Sequence, residues 1–127
     1  MITAPWPALL TPSLEATLLR AIAAEQSAAG IQRRLAFHNT RVILGALLAA
    51  GFDIHQVAAL LGVQTASVRA RAERNGLLPV VSAPHLTGLA ESVLAALPTH
   101  APWGAVPGPT YLAGDVIALL HAGDRTP

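Results

Sequence analysis

The sequence contains no cysteine and no lysine, and only 12% of its 127 residues are charged. The absence of cysteine excludes disulfides, thiol catalysis and zinc sites built on thiolates, and it leaves the redox compartment open. No apolar run reaches the ~18 residues that a membrane span requires, and the N-terminus lacks the charged start of a signal peptide. We therefore expect a cytoplasmic protein that does not enter a membrane.

Because lysine is absent, all eight basic residues are arginines, and six of them lie in the middle of the chain. Residues 30–79 hold six arginines and two acidic residues, a net charge of +4, whereas residues 1–29 and 80–127 carry −1 and −2. Arginine presents a planar fork of donors that matches guanine edges and phosphates. The charge distribution favours nucleic-acid binding by the middle segment, although the net charge of the chain is only +1.

The histidines, glycines and serines form no catalytic pattern. No two of the five histidines have a spacing that would place them on one helical face, and no carboxylate cluster accompanies them. The glycines and prolines of residues 98–109 form no phosphate-binding loop, and no serine stands in a nucleophile elbow. We expect no enzymatic activity, no metal ion and no cofactor.

The most informative stretch runs from Thr40 to Pro79 and predicts three short helices with a sharp turn between the last two. Ala58 is small enough for close contact between two helices. Gly62 stands four residues later, where a left-handed backbone is cheap only for glycine. Val68 follows six residues after Gly62 and is the predicted core anchor of the last helix.

Local signals predict where the last two of these helices begin and end. Asp53 and Gln56 have the spacing of a capping box, which predicts a helix over residues 54–61. The last helix is predicted over residues 65–75, because Asn75 followed by Gly76 is a common C-terminal stop. Upstream, residues 31–50 fit either one long helix or a fresh helix start.

The segment VAALLGVQTASVRAR resembles the helix-turn-helix of bacterial and phage DNA-binding proteins, in the homeodomain-like group and in region 4 of sigma factors. The resemblance covers about a third of the chain. It implies DNA binding, with the last helix in the major groove. The sequence departs from the usual pattern at Gln64, where serine or threonine commonly caps the helix, and at Arg71, where an aliphatic residue is common.

Arginines on and near the last helix are the leading candidates for DNA contact. Arg69 and Arg74 come first and Arg71 next, while Arg41 is placed to contact phosphates that flank the groove. The complete set of predicted DNA-binding residues is Gln64, Thr65, Ser67, Arg69, Arg71, Arg74, Arg41 and His55. Two further arginines, at positions 33 and 34, are either additional phosphate contacts or part of a solvated face.

The predicted fold is all-α, with a tri-helical helix-turn-helix core and flanking helices at both ends. Its four segments are an N-terminal arm over 1–10, an N-terminal helix over 11–30, the DNA-binding unit over 31–79 and a C-terminal helical segment over 80–127. Thr11 is the predicted cap of the first helix, followed by proline at the first helical position. The C-terminal segment is predicted to hold helices over 86–97 and 111–122, separated by a proline-rich loop.

Two apolar stripes lie outside the helix-turn-helix, one at Leu14, Leu18 and Ile22 and the other on the helix over 86–97. Each stripe either packs on the chain's own core or forms a surface for a second copy. Trp6 in the arm leaves the same two options. Because one helix-turn-helix reads only a few base pairs, we expect a homodimer on a twofold DNA site.

The expected function is sequence-specific binding of double-stranded DNA, as a transcriptional regulator or a phage-type repressor. A protein-interaction module of the antitoxin or adaptor kind is an alternative, favoured by the weakly charged flanks. A recombination accessory protein is another. The segment PTYLAGDVIALLHAG resembles the tail of excisionase-like and MerR-like winged helices, where an aromatic strand residue precedes a short helix.

Overall fold

The computed structural model describes residues 8–104 and 106–124, and these residues form a mostly helical fold. The seven α-helices in this part of the chain are α1 (Pro12–Ser27), α2 (Gly30–Ala49), α3 (Ile54–Leu61), α4 (Thr65–Arg71), α5 (Ala83–Thr87), α6 (Glu91–Leu94) and α7 (Ala113–Asp124). A 3-10 turn covers Val80–Ser82, and two strands, β1 (Leu77–Pro79) and β2 (Thr110–Leu112), complete the fold.

The strands β1 and β2 make a small antiparallel sheet, so the prediction of an all-α fold is wrong in this respect. Leu78 pairs with Tyr111 at the centre of the sheet, and both side chains are buried. The predicted last helix therefore begins two residues late, at Ala113, because the aromatic and β-branched residues before it fit a strand better than a helix. A single bridge between His100 and Thr110 continues the pairing.

The central element is α2, a helix of 20 residues that runs through Asn39 and Thr40 without interruption. The Thr40 hydroxyl donates to the Ala36 carbonyl in the preceding turn instead of capping a new helix. Every residue from 42 to 47 is buried, because α1, α4, α7 and β1 all contact α2. None of the helices in residues 8–104 and 106–124, α2 included, has both the length and the apolar character that a bilayer crossing needs.

The start of α1 is held by the end of α7. Thr11 has an extended backbone and makes no side-chain capping hydrogen bond, so its predicted capping role is wrong, although Pro12 does occupy the first turn. The carboxylate of Asp124 accepts hydrogen bonds from the Ser13 backbone N–H, at 3.0 Å, and from the Ser13 hydroxyl. An anion at this position satisfies a helix N–H and interacts favourably with the helix dipole.

The predicted helix over 86–97 is wrong, because the chain forms two short helices there. Gly88 ends α5 in a left-handed conformation, with φ of 73°. The Thr87 hydroxyl, which accepts from the Leu89 N–H, fixes the turn that follows. The predicted stripe is divided accordingly: Leu86 is buried in the core, whereas Val93 on α6 is 45% exposed.

The described end of the N-terminal arm pairs with the chain after α2. The Ala8 N–H donates to the Gly51 carbonyl, and the Asp53 N–H donates to the Ala8 carbonyl. Leu10 is buried in the core. Trp6 lies outside the described residues.

Candidate nucleic-acid interface

A sharp turn at Gly62 joins α3 to α4. Gly62 has φ of 69° and ψ of 33°, which is the left-handed conformation that its spacing predicted. The Val63 N–H donates to the Ala58 carbonyl and closes the end of α3. Val57, Ala58 and Val68 are buried at the contact between the two helices.

The start of α3 confirms one half of the predicted capping box and contradicts the other half. The Asp53 side chain accepts from the His55 N–H at 2.9 Å, as a capping residue does. Gln56 does not reach back to Asp53. Its side-chain oxygen accepts from the Leu10 N–H at 2.7 Å, because the N-terminal arm brings an unpaired donor to this place. His55 itself is exposed.

Most of α4 faces solvent. Val68 is the only buried residue of this seven-residue helix, whereas Ser67 and Arg69 are exposed and Thr65 is half-buried. Gln64 occupies the capping position, is exposed and makes no side-chain capping bond. The free side of α4 therefore carries polar groups near its N-terminal end and Arg69 in its last turn.

The helix α4 is four residues shorter than predicted, since it ends at Arg71 instead of Asn75. Ala72 has an extended backbone, and the next N–H, that of Glu73, donates to the Arg41 carbonyl of α2 at 3.0 Å. Asn75 takes a positive φ of 55°. The close approach requires glycine at position 45, where an added Cβ would lie 1.9 Å from the Glu73 carbonyl oxygen.

The candidate arginines fall into two groups that the sequence does not separate. Arg41, Arg69 and Arg74 are exposed, and none of them has an ion-pair partner within residues 8–104 and 106–124. Arg71 is different: its guanidinium lies 2.7 Å from the Glu25 carboxylate of α1 and over the ring of Phe37. The Glu25 side chain is only 9% exposed. Arg71 thus links α4 to α1, a long-range contact that no local spacing indicates.

An arginine-lined groove of about 530 Å³ lies beside α2. We call it the arginine groove, and its lining is Gly30, Arg33, Arg34, Phe37, His38, Arg41 and Trp103. A second cavity of about 420 Å³ shares Phe37 and Arg41 with it and extends to the end of α4 at residues 70–73. Sequence reasoning did not bring Phe37, His38 and Trp103 to this place, because Trp103 reaches it through a long loop.

No metal-binding group is present in the described part of the chain, where no three histidine, cysteine or acidic side chains come together. Two of the histidines pack against aromatic rings. The His121 ring lies edge-on to Phe52, and His38 stacks on Trp103.

Comparison with known proteins adds no further information. No model of a protein family, no curated protein and no solved structure matches the chain.

Proposed function

We propose that the protein binds double-stranded DNA in a sequence-specific manner, with α3, the turn at Gly62 and α4 acting as a helix-turn-helix. The observation that carries the proposal is the exposed side of α4, where Gln64 and Ser67 near its start and Arg69 in its last turn face solvent over a buried Val68. Recognition helices contact base edges with residues from their N-terminal part. Gln64, Thr65 and Ser67 occupy that part of α4, and the exposed Arg69 beyond them has the donors for a bidentate contact to guanine.

The charges around α4 support the same proposal. Arg74 follows α4 directly and Arg41 lies beside its end, and neither guanidinium is neutralised by a carboxylate within the described residues. Exposed arginines next to a recognition helix suit contacts to phosphates, which fix the position of a protein on DNA. The remaining predicted contacts, Thr65 and His55, lie at the starts of α4 and α3. In this proposal Arg71 supports the helix and does not contact DNA.

A homodimer remains part of the proposal because one short recognition helix reads only a few base pairs. The two apolar stripes give it no support. Leu14 and Leu18 are fully buried within the chain, and the second stripe is divided between α5 and α6. We therefore propose pairing on a twofold DNA site without assigning the dimer surface to either stripe.

Selection of bound sequences from a random pool of duplex DNA tests the proposed function. We expect an enriched motif and an affinity that falls steeply with salt. Replacement of a base-contacting Arg69 by alanine is expected to cost ~1–3 kcal/mol of binding free energy and to relax specificity at one position. The matched control is Arg20→Gln, which removes the same charge from α1, where the guanidinium bonds the Leu86 carbonyl.

The outcomes separate the candidate functions. Unchanged selectivity after alanine replacement of both Arg69 and Arg74 would show that α4 is not the recognition helix. The absence of any salt-dependent DNA binding would exclude DNA as the partner and favour a protein-interaction module. Strong bending of the selected DNA, measured by the mobility of permuted fragments, would favour a recombination accessory protein over a transcriptional regulator.

A further inference from the structure

We propose that the arginine groove binds a free nucleotide, with the phosphate groups at Arg33, Arg34 and Arg41 and the base against Trp103. The groove shares Arg41 with the proposed DNA interface, but its other lining residues lie outside α3 and α4, and the proposal does not depend on DNA binding. Its ligand class is a nucleoside diphosphate or triphosphate. The charge of the groove, its aromatic wall and its size all favour such a ligand.

The groove concentrates positive charge without compensation. Among the described residues, its three guanidinium groups have no ion-pair partner and its lining contains no carboxylate. The first turn of α2 adds to the imbalance, because it contains no acidic residue and Ala29 provides no side-chain cap. Arg33 and Arg34 therefore stand near the positive end of a 20-residue helix, where cations are unfavourable and an anion is favourable. Phosphates would satisfy the arginines and the helix end together.

The aromatic wall is formed by two stacked rings, one of which is buried. The Trp103 ring stacks on the His38 ring with 3.8 Å between centroids and 20° between planes. His38 is buried, with only 5% of its surface exposed, and its Nε2 lies 2.6 Å from the Leu77 carbonyl oxygen. Because a carbonyl only accepts, Nε2 carries the proton and donates it in this bond. Trp103 remains partly exposed and lines the groove beside the arginines, and a tryptophan ring is a surface that a base can stack on.

The size of the groove favours a small ligand over duplex DNA. Its volume of about 530 Å³ falls within the range of roughly 300–1,000 Å³ that is typical of small-molecule sites. In a duplex the bases are stacked inside the helix, and contact with Trp103 would require a base to be flipped out. A duplex could place only phosphate and sugar here and would leave the aromatic wall without a partner. A free nucleotide supplies phosphates and an accessible base in one molecule.

Fluorescence of Trp103 tests the proposal directly. The sequence contains only one other tryptophan, Trp6, so a Trp6→Phe protein reports on Trp103 alone. The probes are adenosine and guanosine diphosphates, with inorganic pyrophosphate and the two nucleosides as partial ligands. We expect saturable quenching by the diphosphates, and at least tenfold weaker binding by either partial ligand in calorimetry.

Variants of the full chain identify the groove as the site. Alanine at both Arg33 and Arg34 is expected to weaken diphosphate binding at least tenfold, whereas Arg20→Gln leaves it unchanged. Arg34→Glu is a second variant, because that exposed side chain has no hydrogen bond or ion pair in the described residues. Thermal unfolding confirms that each variant is folded.

Three results would overturn the proposal. The first is no saturable binding of either diphosphate at millimolar concentration. The second is pyrophosphate binding as strongly as the diphosphates with no change at Trp103, which would define an anion site without base contact. The third is a wild-type protein that binds duplex DNA but no nucleotide, and that loses duplex binding when Arg33 and Arg34 are replaced. This result would make the groove part of a DNA interface.

Discussion

Gly62 controls the connection between α3 and α4 through its backbone conformation alone. Its φ of 69° is one that side-chain-bearing residues rarely adopt, and no atom lies within 4 Å of the position that a Cβ would occupy. A Cβ added at this position would therefore meet no crowding. The conformational cost can be measured by comparing residues that differ in their tolerance of positive φ.

Gly62→Val is expected to lower the free energy of unfolding by ~1–3 kcal/mol, because a β-branched residue at positive φ is strained. Gly62→Asn should lose much less, since asparagine tolerates the left-handed region. Gly114→Ala is the control, at an open position in α7 without positive φ. Urea titration of the three proteins measures the differences. Equal stability of the valine and asparagine proteins would contradict this account of the turn.

At Arg71, a structural role and a DNA-contacting role predict different effects of substitution. Its ion pair with Glu25 is partly buried, with side-chain exposures of 32% and 9%. Arg71→Ala leaves a buried acidic group without its partner and is expected to cost ~1–3 kcal/mol of stability, as for other charged hydrogen bonds. Arg69→Ala, at an exposed site, should change stability by less than ~0.5 kcal/mol. Reduced DNA affinity in a fully stable Arg71→Ala protein would assign Arg71 to the interface instead.

At the scale of elements, the contact between α1 and α7 is expected to make the free energy of unfolding depend on pH. Hydrogen bonds from the Ser13 hydroxyl, and further from the Ser13 backbone, lower the pKa of Asp124 below its ordinary value. A carboxyl with a lowered pKa in the folded state stabilises the protein above its unfolded pKa of about 4. This contribution is lost as the pH falls through the lower, folded value.

We expect the midpoint of urea unfolding to fall as the pH drops below about 4, and to fall less steeply in Asp124→Asn. The other acidic groups also contribute to the pH dependence, and the difference between the wild-type and Asp124→Asn proteins removes their contribution. Asp115→Asn, a change of the same kind in the first turn of α7, is the matched control. Identical pH profiles for the wild-type and Asp124→Asn proteins would show that the contact with Ser13 does not persist in solution.

The elements that local sequence specifies are the ones it predicts well. The course of α1 and α3 and the left-handed turn at Gly62 follow from apolar spacing, proline and glycine. The strands do not, because each has three residues and gains its hydrogen bonds from a partner more than thirty residues away. Gly88 divides the predicted helix over 86–97, because its left-handed backbone, with φ of 73°, ends α5.

The candidate site divides in the same way. The exposed side of α4 could be predicted, because Val68 is the expected core anchor of this helix and the polar residues around it are then left on the free side. The ion pair of Arg71 with Glu25 and the stack of His38 on Trp103 could not, since each joins segments that are distant in sequence. Tertiary packing alone distinguishes a structural arginine from a free one.

At the scale of the whole molecule, the number of chains on DNA is the property to measure. If pairing occurs only on a twofold site, the free protein sediments as a monomer at micromolar concentration, and two chains bind each duplex that contains the selected sequence. A duplex with one half-site should bind a single chain, with the free energy of pairing lost. Binding of one chain to the full site would remove the homodimer from the proposed function.

The late position of α7 in the chain has a consequence for synthesis on the ribosome. Val116, Ile117 and Leu120 of α7 belong to the core, and α7 contacts α1 and α2, which end more than sixty residues earlier. Until these last side chains emerge, the apolar faces of α1 and α2 are open to water and to other nascent chains. Completion of the fold thus waits for translation of nearly all the described residues, and until then a chaperone would find a hydrophobic surface to bind.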